Sequence, residues 1–206
     1  AFSDSYTRHS DNLEGVDDDG HFRGKDGSVN YGDLVVNRFN LLNLFSSRMR
    51  AKQLHEAYIY MTATADYYSR NYSYGSREVY VSIPDRMNLG GTPLDSTLIM
   101  SFPVMRDFIK KNQVDVINSI FLTDGDSHHN NTYWKANTDE TEISDIGRYD
   151  INGENVILRD PVSKKQIQIR KDGRHSRRAM TSTLVKFLRE VFDINIVNFF
   201  LIGKMR

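Results

Sequence analysis

One segment narrows the possible folds more than any other. Gly90-Gly91 interrupts the chain, and Thr92-Pro93-Leu94-Asp95 then reads as a helix start. Thr92 would stand at the N-cap, Pro93 at the first helical position and Asp95 in the acidic first turn. Leu94, Leu98, Phe102, Met105 and Ile109 recur at three- to four-residue spacing behind it, and Lys110-Lys111-Asn112 closes the helix with the favourable charge sign. Pro103 falls inside this helix, where a kink is expected. Val116–Leu122 follows as a mostly apolar strand, expected to be buried on both faces, and ends at Thr123-Asp124-Gly125. The same order returns at the end of the chain. Thr181 or Ser182 caps a helix carrying Leu184, Val185, Leu188 and Val191, and Ile194–Gly203 is the last strand. Helices alternating with strands predict an α/β fold with a mostly parallel sheet flanked by helices.

Between these units the chain is more polar. Ala1–Asp4 reads as the end of a strand, and residues 7–36 as a long polar insertion with dense turn chemistry. Asp17-Asp18-Asp19-Gly20 lacks the EF-hand spacing, so a solvated turn is the simpler reading. Residues 38–70 carry helical periodicity at Phe39, Leu42, Phe45 and Met49, then at Leu54, Tyr58, Met61 and Ala65. Ser46-Ser47 would divide this stretch, with the longer helix starting near Arg48. Val79–Ile83 is β-branched and aromatic and reads as a strand. Residues 126–180 form a second polar insertion. Within it Val156–Arg159 and Gln166–Arg170 flank Asp160-Pro161-Val162-Ser163-Lys164 as a β-hairpin. The whole is read as one domain, 1–206.

Composition removes several function classes. The chain of 206 residues has no cysteine, so disulfides, thiolate zinc sites and a cysteine nucleophile are out. Lys plus Arg and Asp plus Glu are 27 each, which argues against a dedicated nucleic-acid binder. No apolar run approaches the roughly 20 residues a bilayer-spanning helix needs. The hydrophobic share of 39% and a mean hydropathy of −0.54 fit a core that must carry long polar loops. With no initiator Met and no signal-peptide pattern, the sequence reads as a processed product or a fragment.

Candidate sites follow from the fold. In open α/β sheets ligands sit beyond the carboxyl ends of strands, where Asp124 stands, and Thr92 begins a helix that should reach the same edge. A hydroxyl and a carboxylate are hard oxygen ligands suited to Mg²⁺, Mn²⁺ or Ca²⁺, although Asp-Gly is often only a turn and Thr-Pro only a cap. Asp124-Gly125-Asp126-Ser127-His128-His129 gathers two acids and two imidazoles in one loop, either a polar surface loop or a site for Zn²⁺, Mn²⁺ or acid–base chemistry. Seven of the eleven Tyr lie between Tyr58 and Tyr80. Tyr67, Tyr68, Tyr72 and Tyr74 are candidates for a partner surface, with a shared aromatic core as the alternative. Lys171, Arg174, His175, Arg177 and Arg178 form a basic run that could meet phosphate or an acidic partner; without interleaved aromatics, a solvated loop is the default reading. No phosphate-binding loop, His-Glu-x-x-His or Gly-x-Ser-x-Gly is present.

Gly91-Thr92-Pro93-Leu94, one helix, and then Phe121-Leu122-Thr123-Asp124-Gly125 resemble von Willebrand factor A (VWA) domains, and more narrowly the VWA portion of cobaltochelatase-type subunits and their relatives in large tailed phages. Thr183–Leu188 followed by Ile194–Ile202 is similar to the closing helix and strand of those phage relatives. The resemblance covers roughly residues 1–6 and 37–206. It implies a metal-ion-dependent adhesion site (MIDAS) in which Thr92 supplies the second loop and Asp124 the third. The first motif, Asp-x-Ser-x-Ser, is not matched by Ser3-Asp4-Ser5-Tyr6-Thr7. The family's first strand would then lie upstream of Ala1, leaving the domain incomplete at its N-terminus. The resemblance further implies a protein-interaction module, not itself an enzyme, that acts beside a MoxR-type AAA+ ATPase in a chelatase-like or remodelling assembly. A phage-encoded protein in the bacterial cytoplasm fits that setting. A virion or assembly protein without metal, and a metal-dependent hydrolase using Asp124, Asp126, His128 and His129, are the alternatives.

Overall fold

Two helix–strand units form the centre of the molecule. In the computed structural model the described residues are 2–4, 32–34, 36, 39–41, 43–71, 92–123, 132–136, 146–150, 156–169 and 176–200. Helix α2 (Leu94–Lys111) precedes β3 (Asn118–Thr123), and α3 (Ser176–Phe192) precedes β8 (Asn195–Phe200). β3 and β8 pair in parallel, from Asn118 beside Asn195 to Thr123 beside Phe200. Parallel strands need a crossover, and here its described residues contain four of the other strands and α3. The Asn195 N–H donates to the Ile117 carbonyl at 3.0 Å, and its side-chain amide donates to Asn118 Oδ1 at 3.1 Å, which pins the register. Asp193 makes the tight passage from α3 to β8 at φ 52°, a left-handed conformation that Asp tolerates better than most residues. The fold is thus α/β.

The core lies where α2 and α3 meet. Leu94 and Leu98 of α2 pack with Met180, Leu184, Phe187 and Leu188 of α3, and Phe121 of β3 joins them. The Phe102 ring lies 5.4 Å from that of Phe187 and 5.6 Å from that of Phe192. Burying each of Leu98, Leu184 and Leu188 contributes about 2 kcal/mol. α2 continues through Pro103, which sits on the exposed side.

The hairpin β6 (Val156–Arg159) and β7 (Gln166–Ile169) completes this core. It lies within the segment expected to be a polar insertion, yet Leu158 and Ile169 belong to the buried cluster. Alternation explains this: Ile157, Arg159, Gln166 and Gln168 face outward while Leu158 and Ile169 face the helices. The turn closes by Asp160 N–H to Lys165 carbonyl (3.0 Å) and Lys164 N–H to Asp160 carbonyl (2.9 Å), with Lys164 left-handed at φ 63°.

Four boundaries or faces differ from the sequence pattern. The described residues between 39 and 50 are not helical: Phe39–Leu41 is a strand, β2, paired antiparallel with β1 (Phe2–Asp4). Long-range pairing overrides an apolar spacing that a short segment satisfies by chance. The chain then turns at Ser46, whose carbonyl accepts from Met49 N–H at 3.0 Å and whose Oγ accepts from Arg48 N–H at 3.2 Å. Helix α1 spans Ala51–Asn71, and Gln53 Oε1 takes the Arg50 N–H at 2.9 Å, half of a capping box. α3 begins at Ser176, five residues before Thr181, so Arg177 and Arg178 belong to its first turn and not to a loop. β3 is buried on one face only: Phe121 and Thr123 are covered, Ile120 and Leu122 exposed. A further antiparallel ladder, β4 (Thr132–Ala136) with β5 (Ile146–Asp150), was not legible in the sequence. The expected strand at 79–83 lies outside the described residues.

Candidate functional site

The start of α2 is the most polar part of the interior. Pro93, not Thr92, occupies the N-cap, and Leu94 N–H donates to the Thr92 carbonyl at 2.9 Å. The Thr92 side chain is half-buried and makes no hydrogen bond to a described residue. The next turn buries three polar residues in succession, Asp95, Ser96 and Thr97. Thr97 Oγ1 donates to the Pro93 carbonyl at 2.8 Å, which ties the proline back to the helix. The Asp95 carboxylate is fully buried and accepts from the Thr181 hydroxyl of α3. Thr181, expected to cap a helix, instead joins two helices across 86 residues. Asp95 also places negative charge at the positive end of the α2 dipole.

Thr123, the last residue of β3, is buried. Asp124, Asp126, His128 and His129 lie outside the described residues. Among the described residues there is no group of three or more His, Asp or Glu that would hold a metal ion. Tyr67 and Tyr68 are in the last turns of α1, half-buried, with rings edge-on at 5.2 Å. Tyr72 and Tyr74 lie outside the described residues, as do Lys171, Arg174 and His175.

A second polar centre was not singled out from the sequence. Asp160, 2% exposed, accepts from the Ser163 N–H at 2.8 Å and from the Ser163 hydroxyl, while Arg106 of α2 pairs with its other oxygen. The Arg106 guanidinium also lies 5.4 Å over the Phe192 ring. Burial alone would raise the Asp160 pKa. The two Ser163 hydrogen bonds and the Arg106 charge outweigh it and hold the carboxyl below its usual value. Lys165 of the same turn donates to the Glu190 carbonyl near the end of α3. An ionised carboxylate with this many donors is a weak base, and the group serves to fasten the hairpin to both helices. The Asp-Pro-Val-Ser turn signal was visible in sequence; Arg106, 54 residues away, was not.

No protein-family model matches the chain, and no curated protein or solved structure matches it. No described helix is long and apolar enough to cross a membrane.

Proposed function

We propose that the chain is a VWA-like protein-interaction module with a partial metal-ion-dependent adhesion site, working beside a MoxR-type AAA+ ATPase in a chelatase-like or remodelling assembly, in a phage-infected bacterial cytoplasm. One observation supports this reading above the others: β3 and β8 pair in parallel, each directly preceded by a helix, and the two helices pack together against them. A helix that returns along the following strand through a short link, here 112–117, begins near that strand's carboxyl end. Thr92 stands before the one terminus and Asp124 follows the other.

The residues fit a divalent ion in part. Thr92 and Asp124 would supply two of the roughly six oxygens a hard cation takes. Water and a carboxylate from the partner would supply the rest. Bound there, the ion would supply a Lewis-acidic position for that carboxylate. Calorimetric titration with Mg²⁺ and Mn²⁺ tests the site directly. Binding to the wild-type chain should be lost in Asp124→Ala and weakened in Thr92→Val, with far-UV circular dichroism unchanged. Equal binding by Asp124→Ala, or none by the wild type, rejects the reading.

The assembly-protein alternative is favoured by a different observation, the apolar side chains left exposed on α1 and on the β3–β8 pair.

A further inference from the structure

Among the described residues, the uncovered apolar side chains include those of one strand face and of one helix. On the β3–β8 pair, Ile120 lies beside Val197 and Leu122 beside Phe199. All four share one face, by alternation, and are 60%, 42%, 57% and 50% exposed respectively. The opposite face carries Phe121 and Ile196, packed on the helices. Parallel strand pairs are normally covered on both faces, by helices. The second uncovered surface is a helix. Tyr58, Ile59, Tyr60 and Met61 of α1 are 41–58% exposed. Four consecutive residues at about 100° intervals occupy most of a helix circumference, so one supporting surface cannot bury them all.

The start of α1 is fastened beside α2. Arg48 donates to the Lys111 carbonyl at 2.9 Å and to Asn112 Oδ1 at 2.8 Å, at the C-terminal end of α2. α2 lies on the covered side of the strand pair.

We propose that two copies of this chain associate reciprocally, α1 of each covering the bare β3–β8 face of the other. The areas favour this arrangement. A half-exposed side chain of this size leaves roughly 100 Å² to be covered. Two bare strand faces pressed together would bury roughly 400 Å² per copy, below the roughly 800 Å² per partner of a stable interface. Exchanging helix and face in both directions adds the two or so α1 residues that one flat face can meet and brings this to roughly 600 Å² per copy, about 1,200 Å² in total, at the lower bound of that class. Each contact then recurs about a two-fold axis. The association does not involve Thr92 or Asp124 and stands independently of the metal reading.

Sedimentation velocity and light scattering of the full chain test the proposal. A dimer is expected at tens of micromolar. Leu122→Lys and Tyr60→Glu alter exposed positions and should each give a folded monomer, judged by circular dichroism. The heterodimer of the two variants keeps one intact helix–face contact, so the mixture should self-associate measurably more than either variant alone and less than the wild type. A monomeric wild type overturns the proposal. So does a Leu122→Lys protein that remains dimeric, or a mixture of the two variants that associates no more than either alone at the highest concentration reached.

Discussion

Asp160 offers the sharpest test of how this fold is held together. Asp160→Ala removes a buried carboxylate and strands three donors: the Ser163 N–H, the Ser163 hydroxyl and the Arg106 guanidinium. Removing one partner of a buried ion pair costs about 3–5 kcal/mol. The Arg106 side chain is 28% exposed and can recover some hydration, which places the expected loss at the lower end, about 3 kcal/mol. Asp160→Asn keeps the shape and one acceptor oxygen but not the charge, and should lose about half as much. In urea the alanine variant should unfold about 1 M earlier than the wild type, since a chain of this size has an m-value of about 2–3 kcal/mol/M. The pH dependence has a definite sign. The folded pKa lies below the unfolded value of about 3.9, so the unfolded state binds more protons in that window. The stabilisation is complete above the unfolded pKa and is lost as the pH falls through the folded one. Asp160→Asn should therefore flatten the acid limb of the stability curve. Both variants unfolding within about 0.5 kcal/mol of the wild type would refute the assignment of Asp160 as the hairpin's anchor.

Two further substitutions probe the packing around the candidate site. Leu188→Ala, at a fully buried position of α3, should cost about 3 kcal/mol by urea unfolding, with the m-value unchanged. Thr181→Val is nearly isosteric and removes the hydroxyl that bonds Asp95, so a loss of about 1–3 kcal/mol is expected, while Thr181→Ser should recover most of it.

What the sequence made legible follows the range of the interactions. α2 could be read because its evidence is local: Leu94 and Leu98 at helical spacing, Asp95 in the first turn, Lys110 and Lys111 in the last. The β6–β7 hairpin could be read because Asp160-Pro161 marks its turn and Gln166-Ile167-Gln168-Ile169 alternates. β2 could not, because its pairing with β1 joins residues some 35 positions apart while Phe39 and Leu42 satisfy a helical spacing. The apolar run of β3 suggested burial on both faces, and hydrophobicity alone does not tell a covered face from one left open. At the candidate site, the sequence singled out Thr92 and Asp124 by type and position. It gave no sign that Asp95 is buried, since an acid in a first helical turn ordinarily complements the dipole from the surface.

The same distinction explains why polar side chains carry so much of the architecture. A chain only 39% hydrophobic cannot join every element through apolar contact. The polar links between elements far apart in sequence include Arg106 with Asp160, Thr181 with Asp95, and Arg48 with the end of α2. The first two are buried or partly buried, and each depends on a carboxylate whose loss leaves donors uncompensated. The third is exposed and satisfies the Lys111 carbonyl, which α2 leaves open at its C-terminus. The Thr181–Asp95 link has the closest bearing on function, because it fixes the first turn of α2 against α3 immediately after Thr92. A cation held by Thr92 would thus rest on a helix terminus anchored from inside the core. Metal affinity should then respond to Thr181→Val even though Thr181 is not among the proposed ligands.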